Sequence, residues 1–567
     1  MDQGRKRGAN RGPAVDETAL AQVKALLLSG RGDALQRDAL IEYLHCLQDH
    51  FGCLHGRHLV ALAALMKLAP VEVYEVASFY HHFDIVKEGE AAPPALTVRV
   101  CQSLSCQMQG AKALTEQLQA ALGTGVRVQK VPCVGRCTQA PVAVVGQNPI
   151  APAKLARVEQ AIAREAVTEP MPEHALDLAG YLAQGGYQLL EACLNGTRSA
   201  ESIISELEHA GLRGLGGAGF PVGRKWRAVA SEPAPRLMAV NVDEGEPGTF
   251  KDRYYLERDP HRFIEGMLVA AYAVGIDTIY LYVRDEYPAC RRLLSVALGE
   301  TQARYPTLAP IIVRRGAGAY ICGEESAMIE SIEGKRGLPR LRPPFVAQVG
   351  LFGRPTLVHN LESLYWIPAV MELGAAWFLS HGRHGRQGLR SYSVSGRVKR
   401  PGVYLAPAGI TLTELIHEYC GGMAPGHTLY GYFPGGASGG MLSAAQADVP
   451  LDFDTLQAYG CFIGSAAIIV FSEADRARDL AQNAIEFFAD ESCGQCTPCR
   501  VGCGQMAKMM NQPVWDATPI DNLSQVMRDA SICGLGQAAP NPARCVMTYF
   551  PHEVGLADVA ASKEEQA

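Results

Sequence analysis

Gly211-Leu-Arg-Gly-Leu-Gly-Gly-Ala-Gly-Phe-Pro-Val-Gly-Arg-Lys-Trp226 packs six glycines, two arginines, a lysine and two aromatics into sixteen residues. Glycine permits φ > 0 and lets backbone approach a ligand closely. Successive N–H groups presented that way form an anion-binding nest. The cations favour a phosphate, and Phe220 and Trp226 can wall a planar ring. Gly214 to Gly219 also satisfies G-x-G-x-x-G, with Asp243 and Glu244 downstream. A dinucleotide fingerprint of that type needs a strand before it and a helix after it. Here residues 201–210 set Ile203, Ile204 and Leu207 on one helical face. The loop therefore follows a helix, which argues against a standard Rossmann turn. A flexible linker is usually Ser-rich and carries no such aromatics or cations, so a nucleotide or flavin loop is the better reading.

Working outward, strands are expected over 236–241, 278–283 and 311–313 with helices between them, such as 263–274. That alternation is an α/β pattern, assigned to a domain over 201–385. Upstream, 15–92 reads as short amphipathic helices. Its irregularly spaced histidines, with Cys46 and Cys53, read as packed or surface groups. Residues 96–150 run strand, helix, strand, strand, which suits a small thioredoxin-like domain over 93–168. Residues 151–200 carry no strong motif and read as a linker with helices, bounded as 169–200. Over 386–472 a hairpin, a helix with the capping pair Thr411 and Glu414, and further strands suit a β-grasp fold. Residues 473–556 read as helical, 1–14 as a disordered basic tail and 557–567 as a second tail. The fold class expected is multidomain α/β.

Net charge of −6 over 567 residues speaks against a nucleic-acid partner. The longest apolar runs, such as 461–471, fall far short of a membrane span. The basic N-terminus is followed by no apolar run, unlike a signal peptide. A soluble cytoplasmic protein with no membrane partner is expected. Ten of the 17 cysteines fall in two clusters, and in the cytoplasm such clusters indicate metal or redox centres rather than disulfides.

Cys101-x4-Cys106 and Cys133-x3-Cys137 each follow an expected strand, so both pairs sit on loops at one end of a sheet. Four thiolates gathered there suit a [2Fe–2S] cluster better than zinc, whose pairs usually keep a tighter spacing. Cys493-Gly-Gln-Cys496-Thr-Pro-Cys499 is a [4Fe–4S] run. Its fourth ligand is open between Cys503, Cys533 and Cys545; Cys503 completes a ferredoxin-like run but is followed by Gly504 where that run has proline. Three further segments carry candidate ligand-binding groups. Asn241, Asp243, Glu244, Gly245 and Glu246 follow a buried strand, where α/β folds bind ligands. Tyr320, Gly323, Glu324 and Glu325 open a helix, where carboxylates favour the dipole. Arg342 and Phe345 lie in a proline-rich stretch ahead of Val358-His-Asn-Leu-Glu-Ser363. The plain alternatives are an acidic turn, simple capping and a surface loop.

Taken together, Gly-Leu-Arg-Gly-x-Gly-Gly-Ala-Gly-Phe-Pro, Asn-x-Asp-Glu-Gly-Glu-Pro-Gly, Gly-Ala-Tyr-Ile-Cys-Gly-Glu-Glu and Glu-Ser-Cys-Gly-Gln-Cys-Thr-Pro-Cys-Arg resemble the NADH-binding flavoprotein subunit of respiratory complex I. Residues 35–165, including Glu75-Val-Ala-Ser-Phe-Tyr80, resemble its 24-kDa-type [2Fe–2S] subunit. The chain looks like a fusion of the two. The resemblance implies that Gly214, Gly216, Lys225, Asn241, Asp243, Gly245, Tyr320, Gly323, Val358, Asn360 and Ser363 surround FMN. It implies that Phe220, Glu246, Glu325, Arg342 and Phe345 meet NAD(H), and it selects Cys533 as the fourth [4Fe–4S] ligand; Gly217, Glu244, Glu324 and His359 are further cofactor-binding candidates. Leu215, Ala228, Arg342 and His359 depart from the complex I pattern, so the NAD-facing side is expected to differ in detail.

Residues 334–352 and 389–398 look most like the β subunit of molybdenum- or tungsten-dependent, NAD-linked formate dehydrogenase, with the diaphorase subunit of bidirectional NiFe hydrogenase close behind. No motif for either catalytic metal centre is present. The expected role is the diaphorase half: FMN, NAD(H), one [2Fe–2S] and one [4Fe–4S], with a pterin–metal α subunit as partner in a heterodimer open to further assembly. The flavin supplies the chemistry and the protein supplies position and electrostatics, so no side chain is expected to act as acid or base. A fused complex I input subunit is a further alternative, and a zinc-stapled interaction scaffold is the rival from a different class.

Overall fold

The computed structural model describes residues 14–28 and 35–556. Both expected tails fall outside them, apart from Ala14. A parallel sheet organises the rest: β5 (Arg236–Val242), β6 (Ile276–Val283), β7 (Ile311–Arg315) and β8 (Thr356–Asn360), in the order β8-β5-β6-β7. The chain steps from β5 through β6 to β7 along one direction, then returns to lay β8 on the other side of β5. That reversal opens a crevice at the carboxyl ends of β5 and β8, where open α/β sheets bind ligands. Asn241 and Asn360 face one another across it as register partners.

Helix Pro260–Val274 carries Gly266, whose added Cβ would meet the Leu364 carbonyl oxygen at 1.9 Å; only glycine lets this helix lie so close to helix Leu361–Tyr365. Helices Leu178–Ala183 and Gln188–Leu194 pack in the same core through Tyr187 and Leu190. Buried Glu265 accepts hydrogen bonds from the backbone of Tyr187 at 2.9 Å and Leu190 at 3.2 Å, and from the Tyr181 hydroxyl. Residues 178–194 are therefore a packed part of this domain, not the linker expected over 169–200. The local sequence has only short apolar stretches, and a buried carboxylate 75 residues or more away in sequence holds them.

The thioredoxin-like sheet has β1 (Leu96–Cys101), β2 (Val126–Val131), β3 (Ala143–Val145) and β4 (Asn148–Ile150) in the order β2-β1-β3-β4. β1 and β2 are parallel, with helix Ala111–Leu122 between them, and both end at the cysteine loops. The β-grasp sheet runs β10-β9-β13-β11-β12, from β9 (Leu389–Gly396), β10 (Gly402–Pro407), β11 (Leu429–Phe433), β12 (Leu442–Ser443) and β13 (Ala467–Ser472). Thr411 and Glu414 form the expected capping box. Helices Ala477–Asp490, Thr497–Met510 and Ala517–Ala530 make the C-terminal unit.

The N-terminal helices dock on the parallel sheet. His45 bonds the Gly316 carbonyl at 2.9 Å, and the Tyr80 hydroxyl donates to the Lys335 carbonyl at 2.7 Å. Burial drives the His45 pKa down to about 3, so this ring is a neutral packing group. Among the described residues no helix is long and apolar enough to cross a membrane.

Candidate functional site

The glycine-rich loop leaves helix Ala200–Ala210 and enters helix Val222–Ala230, so it lies between helices. Gly214 N–H bonds the Phe220 carbonyl at 2.9 Å and closes the loop on itself. Leu215 N–H donates to Ser363 Oγ at 2.8 Å, and Lys225 Nζ to the Val358 carbonyl at 3.1 Å. The loop is thus pinned to β8 and the helix after it. A Cβ on Gly216 would come within 2.9 Å of Asn360 Cβ, and one on Gly219 within 2.6 Å of the Phe453 ring at a φ of +67°. These two glycines allow the loop to press into the crevice.

The crevice holds a cavity of about 330 Å³, within the usual range for small-ligand sites. Gly216, Gly217, Asn241, Asp243, Glu244, Gly245, Glu246, Tyr320, Gly323, Glu324 and Asn360 all reach it. Sequence reasoning missed several of its walls. Thr249, Lys251 and Asp252 come from the start of helix Lys251–Leu256; Ser438, Phe462, Gly464 and Ser465 come from the β-grasp unit; Gly534, Leu535 and Ala538 come from the C-terminal unit. The one local signal was their continuity with recognisable motifs: Lys251 is five residues after Glu246, and Gly534 follows Cys533.

Other expected residues stand outside this lining. Gly214, Lys225, Val358 and Ser363 support the loop from behind, as above. His359 is buried and accepts a 2.6 Å hydrogen bond from Trp226 Nε1. Burial holds its pKa well below the usual histidine range. The neutral ring accepts at Nε2, so its proton sits on Nδ1. Phe220 and Phe345 are about half exposed. Arg342 pairs with Glu324 and lies 3.1 Å from Glu325. Glu324 also caps helix Glu325–Ile332 by accepting from Ser326 and Ala327 N–H, so simple capping is a real part of its work.

Charges in the cavity are compensated unevenly. Lys251 is fully buried and lies 2.8 Å from Asp252 and 3.1 Å from Glu362; these carboxylates raise its pKa against burial. Burial pushes Glu244 to about 7, opposed by Lys251 and by N–H donors from Asp252 and the Tyr287 hydroxyl. Burial pushes Asp243 to about 8 despite Arg284. Asp243 Oδ2 is buried with no hydrogen-bond partner among the described residues. A bare buried carboxylate oxygen is costly, and a ligand with N–H or O–H donors would satisfy it. The donor set and the glycine cradle fit FMN.

The thiols of the first cluster form a chain of contacts: Cys106 to Cys101, Cys101 to Cys133, and Cys133 Sγ to Cys137 Sγ at 3.4 Å. Two cysteine pairs side by side fit a two-iron cluster. Neighbouring thiols, the Gly248 N–H and Arg284 hold Cys133 below the usual thiol range, which favours thiolate. Phe250 packs on Cys133 and Cys137. Arg284 donates to the Cys133 carbonyl at 2.7 Å and to the Glu244 carbonyl. Residues 244–250 therefore run from the cavity to this cluster.

In the second cluster Cys493, Cys496 and Cys499 adjoin the N-terminus of helix Thr497–Met510. Cys533 stands beside Cys493 and receives N–H donors from Leu535 and Gly536. A Cβ on Gly536 would fall 2.8 Å from Cys499 Cβ, so the Cys533 turn is packed directly on the run. Cys503 is also near, 3.9 Å from Cys499 along the same helix and fully buried. Cys545 lies elsewhere, 3.6 Å from Cys461.

Four family models match in succession: the thioredoxin-like [2Fe–2S] ferredoxin over 30–165, the Nuo51 FMN-binding domain over 207–369, the SLBB domain over 391–442, and the NADH-ubiquinone oxidoreductase-F iron–sulfur binding region over 479–556. An F-type NADH-quinone oxidoreductase subunit of Aquifex aeolicus is 41% identical over 397 residues, covering 67% of this chain and 90% of the relative. The chain belongs to the F-type flavoprotein family of NADH-quinone oxidoreductases. NADH dehydrogenase (ubiquinone) flavoprotein 1 of Dictyostelium discoideum is 40% identical over 403 residues, covering 67% of this chain and 84% of its own length.

A chain of the NAD⁺-reducing [NiFe]-hydrogenase, solved in its H2-reduced state, superposes with a TM-score of 0.80 at 32% identity, covering 92% of both chains. That breadth includes the thioredoxin-like part, so this family member is of the fused 24-kDa/51-kDa type. It is an NAD-dependent flavin oxidoreductase that carries FMN, one [2Fe–2S] and one [4Fe–4S].

Proposed function

We propose that the crevice between β5 and β8 is the FMN site and that the chain is the diaphorase half of an enzyme reducing NAD⁺ with electrons from a formate-oxidising partner. The observation that carries the site assignment is the partnerless Asp243 oxygen at the switch point of the sheet. Gly216 and Gly217 give the floor. Asn241, Asp243, Glu244, Gly245, Tyr320, Gly323 and Asn360 give the polar wall. Gly214, Lys225, Val358, His359 and Ser363 fix the loop that would receive the phosphate. Phe220 and Phe345 offer exposed rings for NAD(H), with Glu246, Glu324, Glu325 and Arg342 to orient it. FMN bound here supplies the exchange of a hydride with nicotinamide for single electrons with iron–sulfur centres.

Cys101, Cys106, Cys133 and Cys137 are assigned to the [2Fe–2S] cluster, and Cys493, Cys496, Cys499 and Cys533 to the [4Fe–4S]. Cys533 is preferred to Cys503 because the residue after it, Gly534, reaches the cavity; the second cluster then abuts the flavin as the first does through 244–250. The unit boundaries are those read from the sequence, with 178–194 moved into the FMN domain, and the setting is cytoplasmic.

The formate reading rests on the likeness of residues 334–352 and 389–398 to formate dehydrogenase β subunits. The breadth of structural likeness to the NAD⁺-reducing hydrogenase chain favours hydrogen as a second reading. Purification of the intact complex, followed by assays of NAD⁺ reduction, separates them. Formate-dependent turnover with a co-purifying pterin–metal subunit is expected. Turnover with hydrogen and none with formate would reject the preferred partner.

A further inference from the structure

Cys461 and Cys545 belong to neither cluster, yet their sulfurs lie 3.6 Å apart and both residues are almost wholly buried. They join two units: Cys461 precedes β13 of the β-grasp sheet, and Cys545 lies in helix Asn541–Tyr549 of the C-terminal unit. The local structure holds them face to face. Asn541, Cys545 and Tyr549 form one stripe of that helix at four-residue spacing. Asn541 Nδ2 donates to the Ser438 carbonyl at 3.0 Å, and the Tyr549 hydroxyl to the Tyr459 carbonyl at 2.9 Å. The thiol pair sits between these two ties. Gly440 covers it at a φ of +80°; a Cβ there would fall 2.7 Å from Cys461 Sγ and 3.1 Å from Cys545 Sγ.

We propose that this pair is a reversible oxidation site, forming a disulfide that staples the β-grasp wall of the cavity to the C-terminal helical unit. The oxidant is hydrogen peroxide. The Cys545 thiolate attacks the peroxide, the O–O bond breaks, and the leaving oxygen departs as water after taking up a proton. The Cys461 sulfur then attacks the Cys545 sulfenic sulfur; the S–S bond forms, the S–O bond breaks, and the hydroxyl leaves as a second water with the Cys461 proton. Two thiols are oxidised by two electrons and one hydrogen peroxide is reduced to two waters. A dithiol reverses the step by exchange. The hydrogen bond from Cys461 draws the Cys545 thiol below its usual range and leaves Cys461 raised, an attacker beside a proton-bearing partner.

Closing the bond takes the sulfurs from 3.6 Å to about 2.05 Å. Phe462 follows Cys461 directly, bonds Gly439 through its N–H at 3.0 Å and lines the cavity. Ser438, one residue further, donates its N–H to Glu246 at 2.9 Å. The staple therefore restrains one wall of the cavity and, through it, the release of a bound ligand. This consequence rests on the cavity being the FMN site; the cross-link itself does not.

The test is to treat the purified holoprotein anaerobically with near-stoichiometric hydrogen peroxide, alkylate remaining thiols, and map the digest by mass spectrometry. A Cys461–Cys545 linked peptide that dithiothreitol abolishes is expected. FMN release on dilution, followed by fluorescence, is expected to slow severalfold in the oxidised wild type and not in Cys545→Ser. Recovery of both cysteines as separate alkylated or over-oxidised peptides would overturn the site. A linked peptide with unchanged FMN release would overturn its hold on the cavity.

Discussion

At the scale of single residues, the cavity is defined by two buried ionisable groups with opposite fates. Asp243 lacks a partner for one oxygen and is held near a pKa of about 8 by burial. Its unfolded value lies lower, so between those values the folded state binds the extra proton and stability falls as pH rises. Flavin-free protein should therefore lose thermal stability from pH 5 to pH 8. Asp243→Asn should flatten that slope while weakening FMN binding; a slope unchanged in the variant would show that the carboxyl does not titrate as described. Lys251 has the converse role, since its removal strands Asp252 and Glu362. Lys251→Met should cost about 3–5 kcal/mol, seen as a lowered denaturation midpoint, with loss of bound flavin. Asp243 was legible because it follows an apolar strand. Lys251 was not: its charge partner Glu362 lies more than a hundred residues away in sequence.

At the scale of elements, the glycine loop and the Cys533 turn make the sharpest claims. Gly216→Ala forces a Cβ against Asn360, and overpacking of that kind costs about 1–3 kcal/mol. FMN affinity, measured by fluorescence quenching, should weaken by roughly tenfold or more; an unaltered affinity would remove the loop from the flavin floor. Cys533→Ser should abolish or distort the [4Fe–4S] electron paramagnetic resonance signal, whereas Cys503→Ser should leave it. The reverse pattern would reassign the fourth ligand. The loop was readable because its preceding helix has clear periodicity. β8 was not, because Thr356-Leu-Val-His-Asn360 places polar residues on both faces of a strand that is buried from Thr356 to His359. There Thr356 Oγ1 accepts from Leu351 N–H at 2.8 Å and His359 from Trp226, and these tertiary bonds have no local signature. Glu324 also shows the limit: the same carboxylate caps a helix, pairs with Arg342 and reaches the cavity.

At the scale of the molecule, four units converge on one site. The parallel sheet contributes the crevice, the β-grasp and C-terminal units wall it, and the thioredoxin-like unit reaches it through Arg284 and residues 244–250. The order of units was legible from periodicity and cysteine spacing. Their convergence was not, since Ser438, Phe462 and Gly534 become neighbours only through packing. On the proposed function, one chain couples NADH to both clusters through the flavin. Anaerobic titration of the purified chain with NADH, monitored by visible absorbance and low-temperature electron paramagnetic resonance, tests it directly. Bleaching of a bound flavin with iron–sulfur signals growing in step is the result predicted. A protein with no flavin band, or with clusters that NADH leaves oxidised, would contradict it.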